Sequence, residues 1–417
     1  MKSTALFVRR LAIATGIVAV LAGCSDTVGV IHGPTPVDPL FQSYVALGNS
    51  ITSGYQSGGI NDSTQRESYA YLLAHSMNTR YAYAALDTPG CPPPIVNFQT
   101  QARLGGGSAT TCAFRSPASV TTALNNVAVP GATSLDPTSV STAASNALTT
   151  FILGGKTQVQ RAADAQPTFV SAWIGNNDVL PAAVSGLLTA TPGYSPGITP
   201  EAQFETNYNA MVTGLQQISS IRGGVLIGVV QVAAAPVLFP AAALFNPAFK
   251  HGFDQFTAKN PANPADTTVL LPSCTPTTKS LISFEIVSAI RSGVHPDSIG
   301  CEKQSLPAVG PSVGDIFVLD SAEQVQLTAA VNGYNTFIQT TANTLGWAYY
   351  DPNVTLTALK TSGCIATVLN LGDPLQPFGP CVTLDGIHPS AQAHKTVANA
   401  MIDVINAKYS THLIHVQ

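Results

Sequence analysis

Residues 44–54 read Tyr-Val-Ala-Leu-Gly-Asn-Ser-Ile-Thr-Ser-Gly, a short apolar run followed at once by small and polar residues. The run Tyr44–Leu47 is typical of a buried strand, and the residues after it are typical of a turn. A serine that follows a buried strand is presented at the edge of a sheet, where it can meet a substrate. Ser50 is therefore a candidate functional residue.

Four further apolar runs predict strands, and helical periodicity separates several of them. This alternation predicts an α/β fold, a three-layer α/β/α sandwich around a five-stranded parallel sheet. The predicted strands are Tyr44–Leu47, Asn126–Val129, Thr168–Ile174, Val225–Val232 and Trp347–Tyr350; the predicted helices are Gln65–Met77, Phe204–Ile218 and Ser321–Leu345, the last with Ser321 and Gln324 as a capping box.

Polar residues follow the first three predicted strands. Ser50 follows the first, Gly131 the second and Asn177 the third. Because the carboxyl ends of parallel strands meet at one edge of a sheet, we expect these three residues to converge there. The sequence therefore predicts a site at this edge.

Four short blocks occur in a fixed order along the chain, and together they resemble those of the SGNH, or GDSL-type, ester hydrolase superfamily. The resemblance spans most of the chain and implies the flavodoxin-like fold of that superfamily. One departure is Asn49, where the family usually has aspartate. The blocks are Gly48-Asn49-Ser50-Ile51, Gly131 within Ala-Val-Pro-Gly-Ala, Gly175-Asn176-Asn177-Asp178, and Asp385-Gly386-Ile387-His388 followed by Pro389.

The resemblance implies a role for each residue in acyl transfer. Ser50 is the expected nucleophile, His388 its general base, and Asp385 the group that orients the imidazole. The backbone N–H groups of Ser50 and Gly131 and the side-chain amide of Asn177 are the expected oxyanion-hole donors, with Asn176 as the alternative amide. We expect no cofactor.

Each block also has a structural interpretation, because glycine-serine and Asn-Asn-Asp runs are common in turns. A competing Gly-x-Ser-x-Gly signal surrounds Ser312, but Pro307 and Pro311 precede that serine and the residues after it are extended rather than helical. We therefore interpret Ser312 as a loop residue. Surface or structural roles are expected for the remaining histidines, His251, His295, His394, His412 and His415.

The first residues resemble an export signal. Lys2, Arg9 and Arg10 precede an apolar run that ends in Leu21-Ala22-Gly23-Cys24. Residues 1–23 are predicted to be a lipoprotein signal peptide, 24–40 a lipidated N-terminus and tether, and 41–417 the hydrolase domain. The resemblance to a bacterial lipobox implies lipidation of Cys24 and an outer-membrane anchor in the cell envelope. An ordinary secretory signal with an incidental cysteine is the alternative.

Charge and cysteine content narrow the class of protein. Three of the 18 basic residues lie in residues 1–23, so their removal leaves 15 basic and 22 acidic side chains, a net charge of −7. This charge excludes a nucleic-acid partner. Because six cysteines remain beyond Cys24, an oxidising compartment and three local disulfides are expected, and the absence of metal-ligand spacing predicts no metal. The simplest of the roughly 15 pairings joins Cys91 to Cys112, Cys274 to Cys301 and Cys364 to Cys381.

The chain is longer than the family core, so insertions are predicted at about 91–115 and 246–310. We expect them to shape the substrate pocket, with the apolar segment Val237–Phe245 as an acyl-binding wall through Leu238 and Phe239. The predicted function is a serine hydrolase of carboxylic esters, with an ester of a lipid, small alcohol or glycan as substrate. Acyltransferase and carbohydrate acetylesterase activities are alternatives on the same fold, and a binding lipoprotein without turnover is a third.

Overall fold

The protein is described by a computed structural model that covers residues 28–31, 35–113, 123–140, 147–259, 266–302 and 316–417. The strands in these ranges are β1 Val28–Ile31, β2 Tyr44–Gly48, β3 Tyr81–Ala84, β4 Ile95–Asn97, β5 Ala102–Arg103, β6 Phe169–Trp173, β7 Gly223–Ile227, β8 Leu238–Pro240, β9 Val269–Leu270, β10 Leu281–Ser283, β11 Ser298–Ile299, β12 Val318–Leu319 and β13 Ala348–Tyr350. The helices are α1 Ser50–Ser53, α2 Asp62–Glu67, α3 Tyr69–Ser76, α4 Ala147–Leu153, α5 Gln158–Asp164, α6 Leu180–Ser185, α7 Glu201–Gln216, α8 Pro247–Thr257, α9 Ile286–Ser292, α10 Ser321–Leu345, α11 Pro352–Thr361 and α12 Ala391–Tyr409.

The central sheet is parallel and has the order β13-β7-β6-β2. Residues 125–129 lie beside β2 on the side away from β6. From β2 the chain therefore extends the sheet first in one direction, to residues 125–129, and then in the opposite direction, through β6 and β7 to β13. This reversal is a topological switch point, the place where parallel sheets bind their ligands. The predicted α/β fold with a parallel central sheet is confirmed.

The second predicted strand, Asn126–Val129, is reduced to a single parallel bridge between Ala46 and Asn126. The asparagine side chains explain the difference. Asn125 accepts from the Ala82 N–H at 2.9 Å and donates to the Tyr44 carbonyl at 2.7 Å, so side-chain atoms replace part of the ladder. The sheet therefore has four regular strands, and its fifth position is held by an irregular segment.

Side chains of each central strand alternate between the two faces of the sheet, as the period of two requires. In β2, Val45 and Leu47 pack on one face, where the core includes residues of α5, α7 and α10. Tyr44 and Ala46 pack on the other face with residues of α3 and α12. Helices thus cover both faces, and the three predicted layers are present.

The fourth predicted strand, Val225–Val232, is shorter in the structure, where β7 ends at Ile227. Beyond that point, asparagine side chains from neighbouring segments accept the backbone N–H groups that a strand partner would otherwise take. The Val229, Val230 and Gln231 N–H groups donate to Asn335, Asn176 and Asn353, respectively.

Two helix predictions also need correction. The predicted helix Gln65–Met77 is interrupted at Ser68, whose backbone is extended (ψ 145°) and whose hydroxyl caps α3. The predicted bounds of α10 are correct, but its capping box is formed by Asp320 and Glu323 rather than by Ser321 and Gln324. Aspartate one position earlier offers a carboxylate that accepts two N–H groups of the first turn.

Beside the sheet lies an aromatic cluster of seven phenylalanines, which links both predicted insertions. Its ring centroids are 4.9–6.5 Å apart, and interplanar angles of 38–85° make most contacts tilted or edge-on. The insertions therefore share one apolar core. The members of the cluster are Phe98, Phe239, Phe249, Phe253, Phe256, Phe284 and Phe378.

Three disulfides lie within the described residues, and two of them, Cys274–Cys301 and Cys364–Cys381, join segments of this cluster. Their pairings are the three local ones expected from the order of the cysteines. No helix within the described ranges is long and apolar enough to cross a bilayer. The disulfides are Cys91–Cys112, Cys274–Cys301 and Cys364–Cys381.

Candidate active site

Ser50 lies at the carboxyl end of β2, where the chain turns directly into α1. Gly48 permits this turn, because a Cβ there would lie 2.7 Å from the carbonyl oxygen of Trp173 on the neighbouring strand. The side chain of Gln158 in α5 accepts from the Gly48 N–H at 2.9 Å and donates to the Gly48 carbonyl at 3.0 Å. The backbone that presents Ser50 is therefore clamped on both of its polar groups.

Asn49, which departs from the family pattern, caps α1. Its side-chain oxygen accepts from the Ile51 N–H at 3.1 Å, and the residue is fully buried. Asparagine and aspartate serve about equally well at this position because each offers an acceptor oxygen. The departure preserves the geometry around Ser50, while the Asn49 amide nitrogen is buried without a hydrogen-bond partner among the described residues.

His388 links Ser50 and Asp385 in one hydrogen-bonded row. The His388 Nε2 lies 2.8 Å from the Ser50 Oγ, and its Nδ1 lies 2.8 Å from the Asp385 Oδ2. When the Nδ1 proton is donated to the carboxylate, Nε2 is left as an acceptor for the serine hydroxyl. The structure thus brings together the serine, histidine and aspartate that the sequence places at its opposite ends.

Asp385 accepts hydrogen bonds from four groups besides the imidazole. Gly58 N–H donates to Oδ2 at 2.7 Å, and Oδ1 accepts from the Thr383 hydroxyl at 3.0 Å and from the Ile387 and His388 N–H groups at 2.9 Å each. Burial alone would raise the pKa of Asp385, but the charge and hydrogen bonds of His388 outweigh it and hold that pKa well below its usual range. The carboxylate is therefore ionised and fixed in orientation.

Tyr55 covers one side of the imidazole. Its ring centroid lies 5.0 Å from that of His388 at an interplanar angle of 55°. Burial, together with the charge of Asp385, raises the pKa of Tyr55 to about 12. The phenol is consequently neutral at physiological pH, and its ring limits the orientations open to the histidine.

A residue of the first predicted insertion reaches the same network. Arg103 Nη1 donates to the Gly58 carbonyl at 2.8 Å and to the Pro93 carbonyl at 2.7 Å. Gly58 in turn donates its N–H to Asp385. Arg103 therefore braces the turn that holds the carboxylate.

Gly131 and Asn177 lie on neighbouring segments of the sheet edge. Gly131 follows Val129, whose N–H donates to the Gly48 carbonyl at 3.2 Å, and Gly131 is itself exposed with a left-handed φ of 84°. The Asn177 amide donates to the Ala132 carbonyl at 2.9 Å, so its side chain lies against the turn that carries Gly131. The segments that carry the three predicted oxyanion-hole donors therefore meet at this edge.

Asn177 and its neighbour Asn176, the alternative amide donor from the sequence, have different surroundings in the structure. The Asn176 side-chain oxygen accepts from the Val230 N–H at 3.0 Å, and its amide nitrogen is buried away from solvent. Asn177 is only half-buried. Of the two, Asn177 is therefore the more exposed residue.

Asp178, the last residue of the same block, joins the Asn177 segment to the loop after Gly131. Its carboxylate accepts from the Ser134 N–H at 2.8 Å and from the Ser134 hydroxyl at 2.6 Å, and Asn207 donates to that hydroxyl at 3.1 Å. Burial raises the pKa of Asp178, although the bonds from Ser134 oppose the shift. This aspartate positions the loop after Gly131.

Sequence reasoning missed the residues that support the triad and the oxyanion segments. Gly58 and Thr383 carried weak signals, a Ser-Gly-Gly turn and a hydroxyl two residues before Asp385. Arg103 and Ser134 carried none, because each acts through a partner that only the fold brings near.

Other candidates from the sequence take different places. Ser312 lies outside the described residues. His394 is fully buried and accepts from the Tyr69 N–H at 3.2 Å, and burial, with the charge of His388, lowers its pKa to about 3, so its role is structural. Phe239 is 1 % exposed inside the aromatic cluster and Leu238 is 6 % exposed, and the acyl-binding wall expected at these two residues stays a prediction.

Comparison with known proteins supplies a family match. The family described as GDSL-like Lipase/Acylhydrolase matches residues 44–401, and no curated protein matches the chain. Three solved structures are similar at low identity: a variant of an acetyl-xylooligosaccharide esterase from Geobacillus Stearmophilus (10 % identity, TM-score 0.37, 90 % of this chain and 97 % of that one), an extracellular lipase from Streptomyces rimosus (14 %, 0.28, 87 % and 99 %) and phospholipase A1 from Streptomyces albidoflavus NA297 (16 %, 0.31, 88 % and 99 %).

Proposed function

Because the chain belongs to the GDSL-like lipase/acylhydrolase family, we propose that it hydrolyses carboxylic esters through an acyl-enzyme on Ser50. The observation that carries the proposal is the hydrogen-bonded row from Ser50 through His388 to Asp385, with two bonds of 2.8 Å. Such a row is the arrangement that converts a serine hydroxyl into a nucleophile.

In the first half of the reaction, the Ser50 Oγ attacks the ester carbonyl carbon while its proton passes to His388 Nε2. The ionised Asp385 stabilises the imidazolium that results. When the tetrahedral intermediate collapses, the bond to the alkoxy group breaks, and His388 returns the proton to the leaving alcohol. The acyl group stays on Ser50.

The negative charge on the former carbonyl oxygen needs donors that are already in place. The proposed donors are the Ser50 and Gly131 N–H groups and the Asn177 amide. One such donor lowers the activation free energy by about 2.7–4 kcal/mol. The two hydrogen bonds from Ser134 to Asp178 support this assignment, since they hold the Asn177 and Gly131 segments next to each other.

The second half repeats the chemistry with water. His388 removes a proton from the water, which attacks the acyl carbon, and the proton then passes to the Ser50 Oγ as the acid leaves. A sugar hydroxyl in place of water would make the same acyl-enzyme a transferase.

The test is turnover of nitrophenyl acetate, butyrate and palmitate by the purified protein and by Ser50→Ala. We expect kcat to fall by roughly 10³–10⁶-fold in the variant. Ser312→Ala is the matched control, and it should keep wild-type activity. An unchanged rate in Ser50→Ala, or a loss confined to Ser312→Ala, would overturn the assignment; turnover only with an added sugar acceptor would identify a transferase.

We also propose that the protein is exported and anchored through a lipid on Cys24. The three disulfides support export, because such bonds persist in oxidising compartments. Metabolic labelling with an alkyne fatty acid should tag the protein, and Cys24→Ser should abolish the tag. Equal labelling of both forms would contradict the anchor without affecting the proposed hydrolase activity.

A further inference from the structure

A cavity of about 90 Å³ lies beside the catalytic residues and has no part in the mechanism above. Ile51, the residue after Ser50, lines it, as do Ile387 and Pro389 on either side of His388. Because one water needs only about 10–15 Å³, this volume accommodates a much larger group. Direct chain neighbours of Ser50 and His388 therefore form part of the cavity wall.

The walls of the cavity are apolar. They comprise Leu356 and Leu359 from α11, Ala393 and Val397 from α12, and residues at the strand ends. Among all the lining side chains, only those of Thr355 and Trp173 carry a hydrogen-bonding group, and the Thr355 hydroxyl already accepts from Tyr350 at 2.7 Å. A cavity with this lining favours a hydrocarbon group over water or a sugar.

Hydrogen bonds hold α11 against the loop that follows β7, so the cavity is formed in advance. The Asn353 side chain donates to the Val229 carbonyl at 3.0 Å and accepts from the Gln231 N–H at 2.7 Å. Near the other end of the helix, Lys360 donates to the Ala234 carbonyl at 2.7 Å. A preformed cavity binds a flexible chain without first having to order its own walls.

We propose that this cavity binds an unbranched hydrocarbon chain of the ester, so that the substrates are esters with a chain of several carbons rather than acetyl esters of small alcohols. The proposal rests on the proposed function, since it assigns a substrate class to the same site. It also moves the expected apolar wall from Val237–Phe245 to α11 and α12.

The test compares kcat/KM for nitrophenyl acetate, butyrate and octanoate in the full chain and in Leu356→Trp, which fills the cavity from a half-buried position. Each buried methylene favours binding about fourfold, so wild-type protein should prefer octanoate over acetate by at least tenfold. The variant should lose that preference by at least tenfold while it keeps its rate on acetate. Val354→Trp, on the exposed side of the same helix (69 % exposed), is the matched control and should change neither rate.

Octyl acetate, measured beside nitrophenyl octanoate, separates the two positions that the chain can occupy. Preference for nitrophenyl octanoate over nitrophenyl acetate places the chain on the acyl side. Preference for octyl acetate over ethyl acetate places it on the alcohol side. If Leu356→Trp does not fold, as judged by circular dichroism, Leu359→Trp replaces it.

Two failures are distinguishable. The cavity proposal fails, and the hydrolase proposal stands, if turnover depends on Ser50 but not on chain length. The same conclusion follows if Leu356→Trp and Leu359→Trp each lower the rates on acetate and octanoate equally. If the folded protein hydrolyses no ester and Ser50 resists a fluorophosphonate probe, the hydrolase proposal fails and this one falls with it.

Discussion

The edge of the sheet that carries Ser50 holds its side chains by hydrogen bonds, whereas the aromatic cluster holds its rings by packing. At the edge, Asp385 alone accepts bonds from five groups, and Gln158 clamps the turn before Ser50. In the cluster, seven phenylalanine rings that are far apart in the chain pack against one another. Hydrogen bonds therefore control side-chain orientation at the edge, and packing in the cluster supplies stability.

The two regions meet beneath the catalytic loop. Gly386 has a left-handed φ of 71°, and a Cβ there would lie 2.7 Å from the ring of Phe378 in the cluster. On the other side, Arg103 of the first predicted insertion braces Gly58 against Asp385. Substitutions of Asp385 and Asn177 at the edge should therefore lower rate at constant stability, those in the cluster should lower stability at constant rate, and those at the junction should fall between.

The largest effect on rate among these tests is expected for Asp385→Asn. The amide cannot stabilise the imidazolium and favours the wrong tautomer of His388, so kcat should fall by about 10⁴-fold. Steady-state kinetics on nitrophenyl butyrate and thermal unfolding measure the two quantities together. A rate within tenfold of wild type would show that the carboxylate is structural only.

Asn177→Ala should lower kcat by about 10²–10³-fold with little change in thermal stability, because it removes one oxyanion donor. Asn176→Ala is its matched neighbour. That variant removes the acceptor of the Val230 N–H and should cost about 1–3 kcal/mol of stability, with a much smaller effect on kcat. The reverse ranking in kcat would transfer the oxyanion role to Asn176.

Arg103→Met tests the junction. Loss of its bonds to the Gly58 and Pro93 carbonyls should loosen the turn below Asp385 and lower kcat by about tenfold at constant KM, since small misplacements in a site are costly. Arg103→Lys should recover part of the rate, because its ammonium can still donate to a carbonyl. Arg66→Met, a surface control, should have no effect; a higher KM with unchanged kcat would instead place Arg103 on the substrate.

The smallest effect on rate is expected in the aromatic cluster. Phe253→Ala should destabilise the fold by about 3–5 kcal/mol, since the side chain is fully buried against Phe239 and Phe284. At a temperature where the variant is folded, kcat on nitrophenyl acetate should stay within about threefold of wild type. Phe245→Ala, at a ring 38 % exposed, should cost less than about 1 kcal/mol. A large loss of rate in folded Phe253→Ala would mean that the cluster also orients the site.

Much of the sheet and of the catalytic row was predictable from local sequence. Apolar runs marked each central strand, and the positions after them placed Ser50 and Asn177 at one edge. The predictions failed where side chains replaced backbone partners: Asn335, Asn176 and Asn353 end β7 early, and the Asn125 side chain replaces part of the ladder beside the second predicted strand. A propensity pattern does not reveal which distant amide will accept an N–H group.

The alternation of strands and helices could be read from the sequence alone, because it depends on periodicity along the chain. The residue types of the row Ser50, His388 and Asp385 came from short blocks that resemble those of a known family, and the sequence left the cysteine pairing open. Only the tertiary structure decided which of the two asparagines is buried, that Arg103 reaches Gly58, and that α11 and α12 contribute to the apolar cavity. These features depend on contacts between residues far apart in the chain, and such contacts leave no local pattern.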